Sequence, residues 1–426
     1  MPDLLVRAPQ KAIEAAVRLP ASKSESNRAL VMQALAYTQK EPADITIQHL
    51  SNARDTQILK ALLSQKQPVW DVQDAGTTMR FLTALAAVTN QSKIIQGTAR
   101  MHERPIGVLV EALKQIGFQI TYTNQMGFPP LQIQPIQPHQ WSKLAEFVKL
   151  SAQVSSQFIS ALLMIAPLLP NGLTIALEGD LRSAAYVEMT IAQMQQAGVV
   201  VEKSKHNRQL YVAPQLYQPH SFVIEADWSA ASYWFSMVAL CPFPMRVLLE
   251  GLQSTSLQGD AVIQQLMQPW GVTSKHIPQG VLIQKEEAVV LSDLFFDFSN
   301  CPDLAQTVLV CVAASKANAT VVGLESLRIK ETDRIAALQT ELAKFNATLQ
   351  ELDEHHWQLI GEHFATPQQA TVSTYHDHRM AMAFAPLSFF CNLVIENKSV
   401  VEKSYPHFWS DLQASGFQVE ELIAND

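Results

Sequence analysis

Two kinds of apolar pattern alternate along the chain, and each predicts a different sort of helix. In the first, apolar side chains return every three or four residues. Ile106, Leu109, Val110, Leu113 and Ile116 do so within 104–121, and Ile335, Leu338, Leu342 and Phe345 within 331–350. That spacing lines them along one stripe with a polar face opposite, and 186–202 reads the same way. Each stretch ends at Gly or Asn and runs into a short β-like segment; those residues suit the left-handed position that closes a helix. The second kind opens with small polar or charged residues and is then apolar nearly all round. It occurs near Ser22 (SKSESNRALVMQALA), Gly76 (GTTMRFLTALAAV), Ser155 (SSQFISALLMIAPLL), Ser229 (SAASYWFSMVAL), Pro302 (PDLAQTVLVCVAAS) and Asp377 (DHRMAMAFAPLSFF). A helix with no polar face must be buried.

The pattern repeats. The closing residues Gly117, Gly198, Gly271, Asn346 and Gly416 recur at intervals of 70 to 81 residues, with a shorter copy expected around 55–72. Six copies of about 71 residues would fill the chain. Each copy should carry one inner helix, one outer amphipathic helix and several strands, which makes the fold α/β.

Composition narrows the function. A length of 426 residues predicts two domains. With 48% apolar and 16% charged residues, the chain has a large core and is not disordered. A net charge of −8 argues against a general nucleic-acid or anionic-membrane binder. Residues 1–17 lack the basic-then-apolar plan of a secretion signal, and no apolar run reaches the roughly 18 to 20 residues of a membrane span. Cys241, Cys301, Cys311 and Cys391 are scattered, without CxxC spacing. A reduced, cytoplasmic protein is expected, each cysteine acting as a small buried apolar residue. No His/Cys cluster has metal-ligand spacing.

The inner-helix starts carry the candidate chemistry. A buried helix N-terminus presents unsatisfied N–H groups and partial positive charge. The starts hold Lys23, Ser24 and Arg28; Gly76, Thr77 and Arg80; Ser155, Ser156 and Gln157; and Asp377, His378 and Arg379. A single Ser or Thr there would read as a cap, and Ser22 with Glu25 reads as a capping box. Parallel starts with embedded Lys or Arg point instead to a shared anion site. Ser24 and Arg28 lie four apart on one helix face. Gly76 allows close backbone approach by a ligand. Asp303, after Pro302, and Glu331 could be first-turn carboxylates facing the helix dipole, or groups that move protons.

LPASKSESNR (19–28), DAGTTMR (74–80), ERPIG (103–107), SSQF (155–158), RIKETDR (328–334) and DHRMAM (377–382) resemble, in order, the signature segments of the 5-enolpyruvylshikimate-3-phosphate synthase family, the 3-phosphoshikimate 1-carboxyvinyltransferases. The resemblance spans nearly the whole chain. It implies a two-domain inside-out α/β fold of six βαβαββ-type repeats with parallel buried helices. Residues 1–19 plus 225–426 would form one domain and 20–224 the other, with three repeats each and the active site in a cleft that must close. The implied reaction adds the 5-hydroxyl of shikimate 3-phosphate to phosphoenolpyruvate and then expels phosphate. It needs no metal or organic cofactor, and the enzyme would be a monomer without nucleic-acid or membrane partners.

The resemblance also implies residue roles. Lys23, Asp303 and Glu331 would be catalytic. Lys23, Ser24, Arg28, Ser155, Ser156, Gln157, Ser183, Tyr186, Asp303 and Lys330 would hold shikimate 3-phosphate. Lys23, Gly76, Arg104, Gln157, Arg334, Arg379 and Lys403 would surround phosphoenolpyruvate. Asp377 and His378 are expected to orient other groups. The sequence departs from the common pattern at Glu25, Asp74, Phe81, Trp228, Ala230 and Ser326. Two alternatives stay open: a UDP-N-acetylglucosamine enolpyruvyl transferase, although 94–103 lacks the reactive Cys many of them carry, and a catalytically silent anion-binding protein.

Overall fold

The computed structural model describes residues 2–151, 155–179, 181–205, 208–286, 291 and 294–422. The chain divides into two compact units. One comprises Met1–Ala21, Asn52–Arg54 and Glu225–Asp426; the other comprises Ser22–Ser51 and Asp55–Ile224.

The first unit holds three four-stranded sheets. Its plainest repeat begins with strand Leu294–Asp297 and a single turn, Pro302–Leu304, that leads into helix Ala305–Ala314. The proline turn displaces the expected start: Pro302 lacks an N–H, so it fits the first turn, and the regular helix begins only at Ala305. Strand Asn318–Val322 returns parallel to the first strand, with Phe296 beside Val321. Outer helix Arg334–Ala343 and the antiparallel pair Thr348–Glu351 and His356–Ile360 complete a βαβαββ unit.

The other two copies in this unit borrow strands from far away. Helix Trp228–Leu240 lies between Ile13–Arg18 and Met245–Glu250, which pair in parallel, so the whole second unit is inserted between a strand and its helix. The last copy, around helix His378–Phe384, is completed by Asp3–Arg7, which slots between Asn392–Ile395 and Gln418–Leu422. The chain's beginning thereby closes its end.

The second unit repeats the plan twice with four strands, around helices Gly76–Val88 and Ser156–Ile165. Among the described residues its remaining copy, around helix Lys23–Thr38, has two strands, Ile45–Gln48 and His220–Val223. Within each unit the three inner helices pack on one another. Every described residue of Ala305–Ala314 and His378–Phe384 is buried, as a pattern without a polar face requires. Three cysteines, Cys241, Cys301 and Cys311, are buried in this packing, and burial pushes each thiol up, away from reactive thiolate.

Gly117, Gly198, Gly271, Asn346 and Gly416 all have positive φ, at 122°, 80°, 72°, 57° and 97°. Each turns the chain from a helix into the following strand. Among the described residues no helix is long and apolar enough to cross a membrane.

Candidate active site

In the first unit, the starts of the three inner helices meet. Arg379, second residue of helix His378–Phe384, donates from Nη2 to Asp303 Oδ2 at 2.8 Å and from Nη1 to the Asp303 carbonyl at 3.1 Å. The same Nη2 reaches Ser229 Oγ, at the start of helix Trp228–Leu240, at 3.4 Å. One guanidinium thus ties together all three helix mouths.

Around it lies an ion-pair network. Arg334, only 1% exposed, bonds Asp377 Oδ2 at 2.7 Å, Glu331 Oε2 at 2.8 Å and Asp303 Oδ1 at 3.0 Å. Lys330 Nζ lies 3.5 Å from Asp303, and Lys403 Nζ lies 3.8 Å from Glu331. Across these ion pairs four cationic side chains face three carboxylates. Burial alone would raise the Asp303 carboxyl, but the charges of Arg379, Lys330 and Arg334 outweigh it and hold Asp303 well below the usual carboxylate range. Burial pulls Lys330 down against the opposing pull of Asp303. For Arg334, burial is overcome by Asp377, Glu331 and Asp303, which lock it in the charged form. Such a network stays buried only because each charge is compensated, and removing one partner typically costs about 3–5 kcal/mol. An incoming dianion can compete for these arginines, whose forked donors suit carboxylate and phosphate alike.

The second unit gathers its own cations. Arg28 is buried on helix Lys23–Thr38; its Nε donates to Thr190 Oγ1 at 2.6 Å, and its Nη2 to Ser160 Oγ at 3.3 Å and to the Tyr186 carbonyl at 3.1 Å. Desolvation lowers it to about 10, still charged at neutral pH. Its guanidinium lies over the Phe81 ring at 5.6 Å, and Arg80 lies over Phe158 at 6.0 Å, so cation–π contacts staple neighbouring inner helices. Gly76 opens its helix where two guanidinium groups converge. A Cβ there would stand 2.7 Å from Arg104 and from Arg80. Lys23 pairs with Asp55 at 3.2 Å.

The remaining residues proposed from sequence fall at helix mouths of this unit. Ser155 caps helix Ser156–Ile165, accepting from Gln157 N at 3.4 Å, and Gln157 donates to Thr77 Oγ1 at 3.1 Å. Ser183 precedes helix Ala184–Gln196 with φ of +54°, a left-handed conformation uncommon outside glycine. Its carbonyl accepts from Tyr186 N at 3.1 Å, beside the carbonyl that binds Arg28. Asp303, Lys330, Glu331, Arg334, Arg379 and Lys403 therefore form one group. Lys23, Ser24, Arg28, Gly76, Arg104, Ser155, Ser156, Gln157, Ser183 and Tyr186 belong to the other unit.

A sequence model described as EPSP synthase (3-phosphoshikimate 1-carboxyvinyltransferase) matches residues 57–412. A 3-phosphoshikimate 1-carboxyvinyltransferase of Bacteroides fragilis is 40% identical over 417 residues, covering 98% of both chains. One of Pasteurella multocida is 33% identical, covering 93% of this chain and 94% of its own. The chain belongs to the EPSP synthase family. Its class is that of a transferase of the shikimate pathway and of aromatic amino acid biosynthesis. The fold agrees: a solved structure of the EPSP synthase of Acinetobacter baumannii superposes with a TM-score of 0.76 at 18% identity, covering 99% of this chain and all of the other. The enolpyruvyl transferase NikO of Streptomyces tendae does so at 0.72 and 12%. The six-repeat α/β reading of the sequence is correct.

Family motifs led to the charged groups but missed their partners. Asp55, Thr190 and Ser160 lie outside every one of those motifs. Asp55 stands 32 residues beyond the lysine it pairs with, and Thr190 stands 162 residues beyond Arg28. Only Ser160 left a trace, as a polar residue within an otherwise apolar inner helix.

Proposed function

We propose that the two groups serve one reaction, transfer of the enolpyruvyl group of phosphoenolpyruvate to the 5-hydroxyl of shikimate 3-phosphate. Shikimate 3-phosphate is held by Lys23, Ser24, Arg28, Ser155, Ser156, Gln157, Ser183, Tyr186, Asp303 and Lys330. Phosphoenolpyruvate is held by Lys23, Gly76, Arg104, Gln157, Arg334, Arg379 and Lys403. The observation that carries this assignment is the Asp303–Glu331 pair, two carboxylates embedded in cations at converging helix mouths. The two carboxylates compensate the buried cations of the empty site and also supply the proton-transfer groups that addition to a double bond requires.

In this reading Glu331, having taken up a proton from solvent as the substrates bind, delivers it to C3 while the 5-hydroxyl oxygen bonds to C2 of phosphoenolpyruvate. Asp303 takes the hydroxyl proton. The methyl group of the tetrahedral adduct then returns a proton to Glu331 as the C2–O bond to phosphate breaks, and the departing oxygen takes up a proton by way of Lys23, equal in number to the one Asp303 received. Asp303 is a weak base while three cations surround it. Substrate anions that draw Arg334 and Arg379 toward themselves raise its basicity when it is needed. The enzyme works as a cytoplasmic monomer in this proposal.

The test is release of phosphate from phosphoenolpyruvate in the presence of shikimate 3-phosphate, with UDP-N-acetylglucosamine as the control acceptor. Release with the first and not the second is expected. Binding of both substrates without phosphate release overturns the proposal.

A further inference from the structure

One buried carboxylate next to the first cluster has no part in the chemistry above. Asp260 is 4% exposed and sits in the single turn Gly259–Val262. Its Oδ2 accepts a short hydrogen bond from Ser229 Oγ, the hydroxyl that Arg379 Nη2 also reaches. Among the described residues its buried Oδ1 has no hydrogen-bond partner.

The turn that carries Asp260 is fastened to the start of helix Trp228–Leu240. Gln258 Oε1 accepts from Trp228 N at 2.9 Å, and Gln258 Nε2 donates to the Ala226 carbonyl at 2.8 Å. Glu225 then accepts from Trp228 Nε1 at 2.8 Å, Gln253 N at 2.8 Å and Ser256 Oγ at 2.5 Å. Asp260 is therefore held rigidly relative to Ser229.

A hydroxyl has one proton. When Ser229 gives it to Asp260, the oxygen has only lone pairs left for its other neighbour, and that neighbour is the Arg379 guanidinium. The Asp303 carboxylate holds the same Nη2 at 2.8 Å from another direction. We propose that Asp260 is a positioning residue which, by orienting the Ser229 hydroxyl as an acceptor, fixes the plane of the Arg379 guanidinium for an anionic substrate group. The inference rests on the reading above, in which Arg379 binds phosphoenolpyruvate. Burial, together with the charge of Asp303, pushes the Asp260 carboxyl up to about 7. Arg379 and the Ser229 hydrogen bond oppose that rise, Asp227 adds to it, and the charge of Asp260 in turn helps to raise the Cys301 thiol.

The test compares Asp260→Asn, Ser229→Ala, the double variant, Asp260→Glu and Arg379→Ala by steady-state phosphate release, with melting curves for each. Asp260→Asn and Ser229→Ala should each raise KM for phosphoenolpyruvate about tenfold, the usual scale for a lost hydrogen bond to a charged group, and leave KM for shikimate 3-phosphate unchanged. The double variant should be no worse than either single one, because both break the same relay. Asp260→Glu should recover part of the loss. If Asp260→Asn folds poorly, the half-buried Ser229→Ala carries the test alone. Unchanged KM for phosphoenolpyruvate in Ser229→Ala, or single effects that multiply in the double variant, overturns the inference. If Arg379→Ala also leaves that KM unchanged, the substrate assignment fails with it. If Arg379→Ala raises KM and the Asp260 and Ser229 variants do not, only the relay is wrong.

Discussion

Asp303→Asn is the substitution on which the proposed chemistry turns. The Asp303 carboxylate has cations at 2.8 Å (Arg379), 3.0 Å (Arg334) and 3.5 Å (Lys330). At an effective dielectric near 20, a unit pair 3 Å apart attracts by roughly 5–6 kcal/mol before desolvation is subtracted. Most of that is offset by taking the ions out of water, and breaking such a pair typically costs about 3–5 kcal/mol net. The Asp303 side chain is 18% exposed and asparagine keeps an acceptor oxygen, so the stability loss should lie toward the lower end. The substitution makes the cluster one charge more positive, so affinity for the anionic substrates should not fall. Turnover should fall about 10²–10⁴-fold, the usual share of a general acid–base group. Titration calorimetry with shikimate 3-phosphate measures the first effect, and phosphate release under saturating substrates the second. A kcat within about tenfold of the parent would remove Asp303 from the proton path. A large loss of shikimate 3-phosphate affinity with normal kcat would make it a binding group only.

Further outcomes follow from the same geometry. Gly76→Ala should raise KM for phosphoenolpyruvate and hardly change the melting temperature. The new Cβ meets the movable ends of Arg104 and Arg80 at 2.7 Å and not backbone, and an unchanged KM would detach those arginines from the site. Thr190→Val removes the 2.6 Å partner of Arg28 Nε and should weaken shikimate 3-phosphate by about 1.5–3 kcal/mol in calorimetry; unchanged affinity would mean that Arg28 needs no such support. Stability should respond to pH in opposite senses at two carboxyls. Asp303 is depressed, so its contribution is complete above its unfolded value near 4 and is lost as pH falls through its lower folded value, which acid-unfolding midpoints of Asp303→Asn against parent will show. Asp260 is raised from an ordinary 3.8 to about 7, so the folded chain holds that proton more tightly and ionising it costs stability as pH rises through this window, on the order of 4 kcal/mol at most. Calorimetric melting of Asp260→Asn should therefore improve relative to parent between pH 5 and pH 8; a difference that does not change with pH would contradict the raised value.

What could be read from the chain was whatever repeats or recurs locally. The full apolar girth of Ala305–Ala314 marks it as an inner helix without any knowledge of its neighbours, and Asn346 marks a helix end because few residues tolerate φ of +57°. Strand exchange left no such mark. Nothing in Asp3–Arg7 indicates that it completes a sheet with residues near 393 and 420, because alternation specifies a strand and not its partner. The charged residues of the site were legible as motifs, while the side chains that aim them were not. Asp55, Thr190 and Asp260 reach their partners across 31 to 162 residues of chain, and a lone buried Asp or Thr looks locally like any helix-start or turn residue.

A diffraction structure with shikimate 3-phosphate and phosphoenolpyruvate both bound tests the central idea most directly. The expected result has the carboxylate and phosphate of phosphoenolpyruvate on Arg104, Arg334, Arg379 and Lys403, the shikimate phosphate at the Ser155–Ser156 helix mouth, and the 5-hydroxyl beside Asp303. Either substrate seated away from these helix mouths, with the Arg334 and Arg379 ion pairs undisturbed, would contradict it.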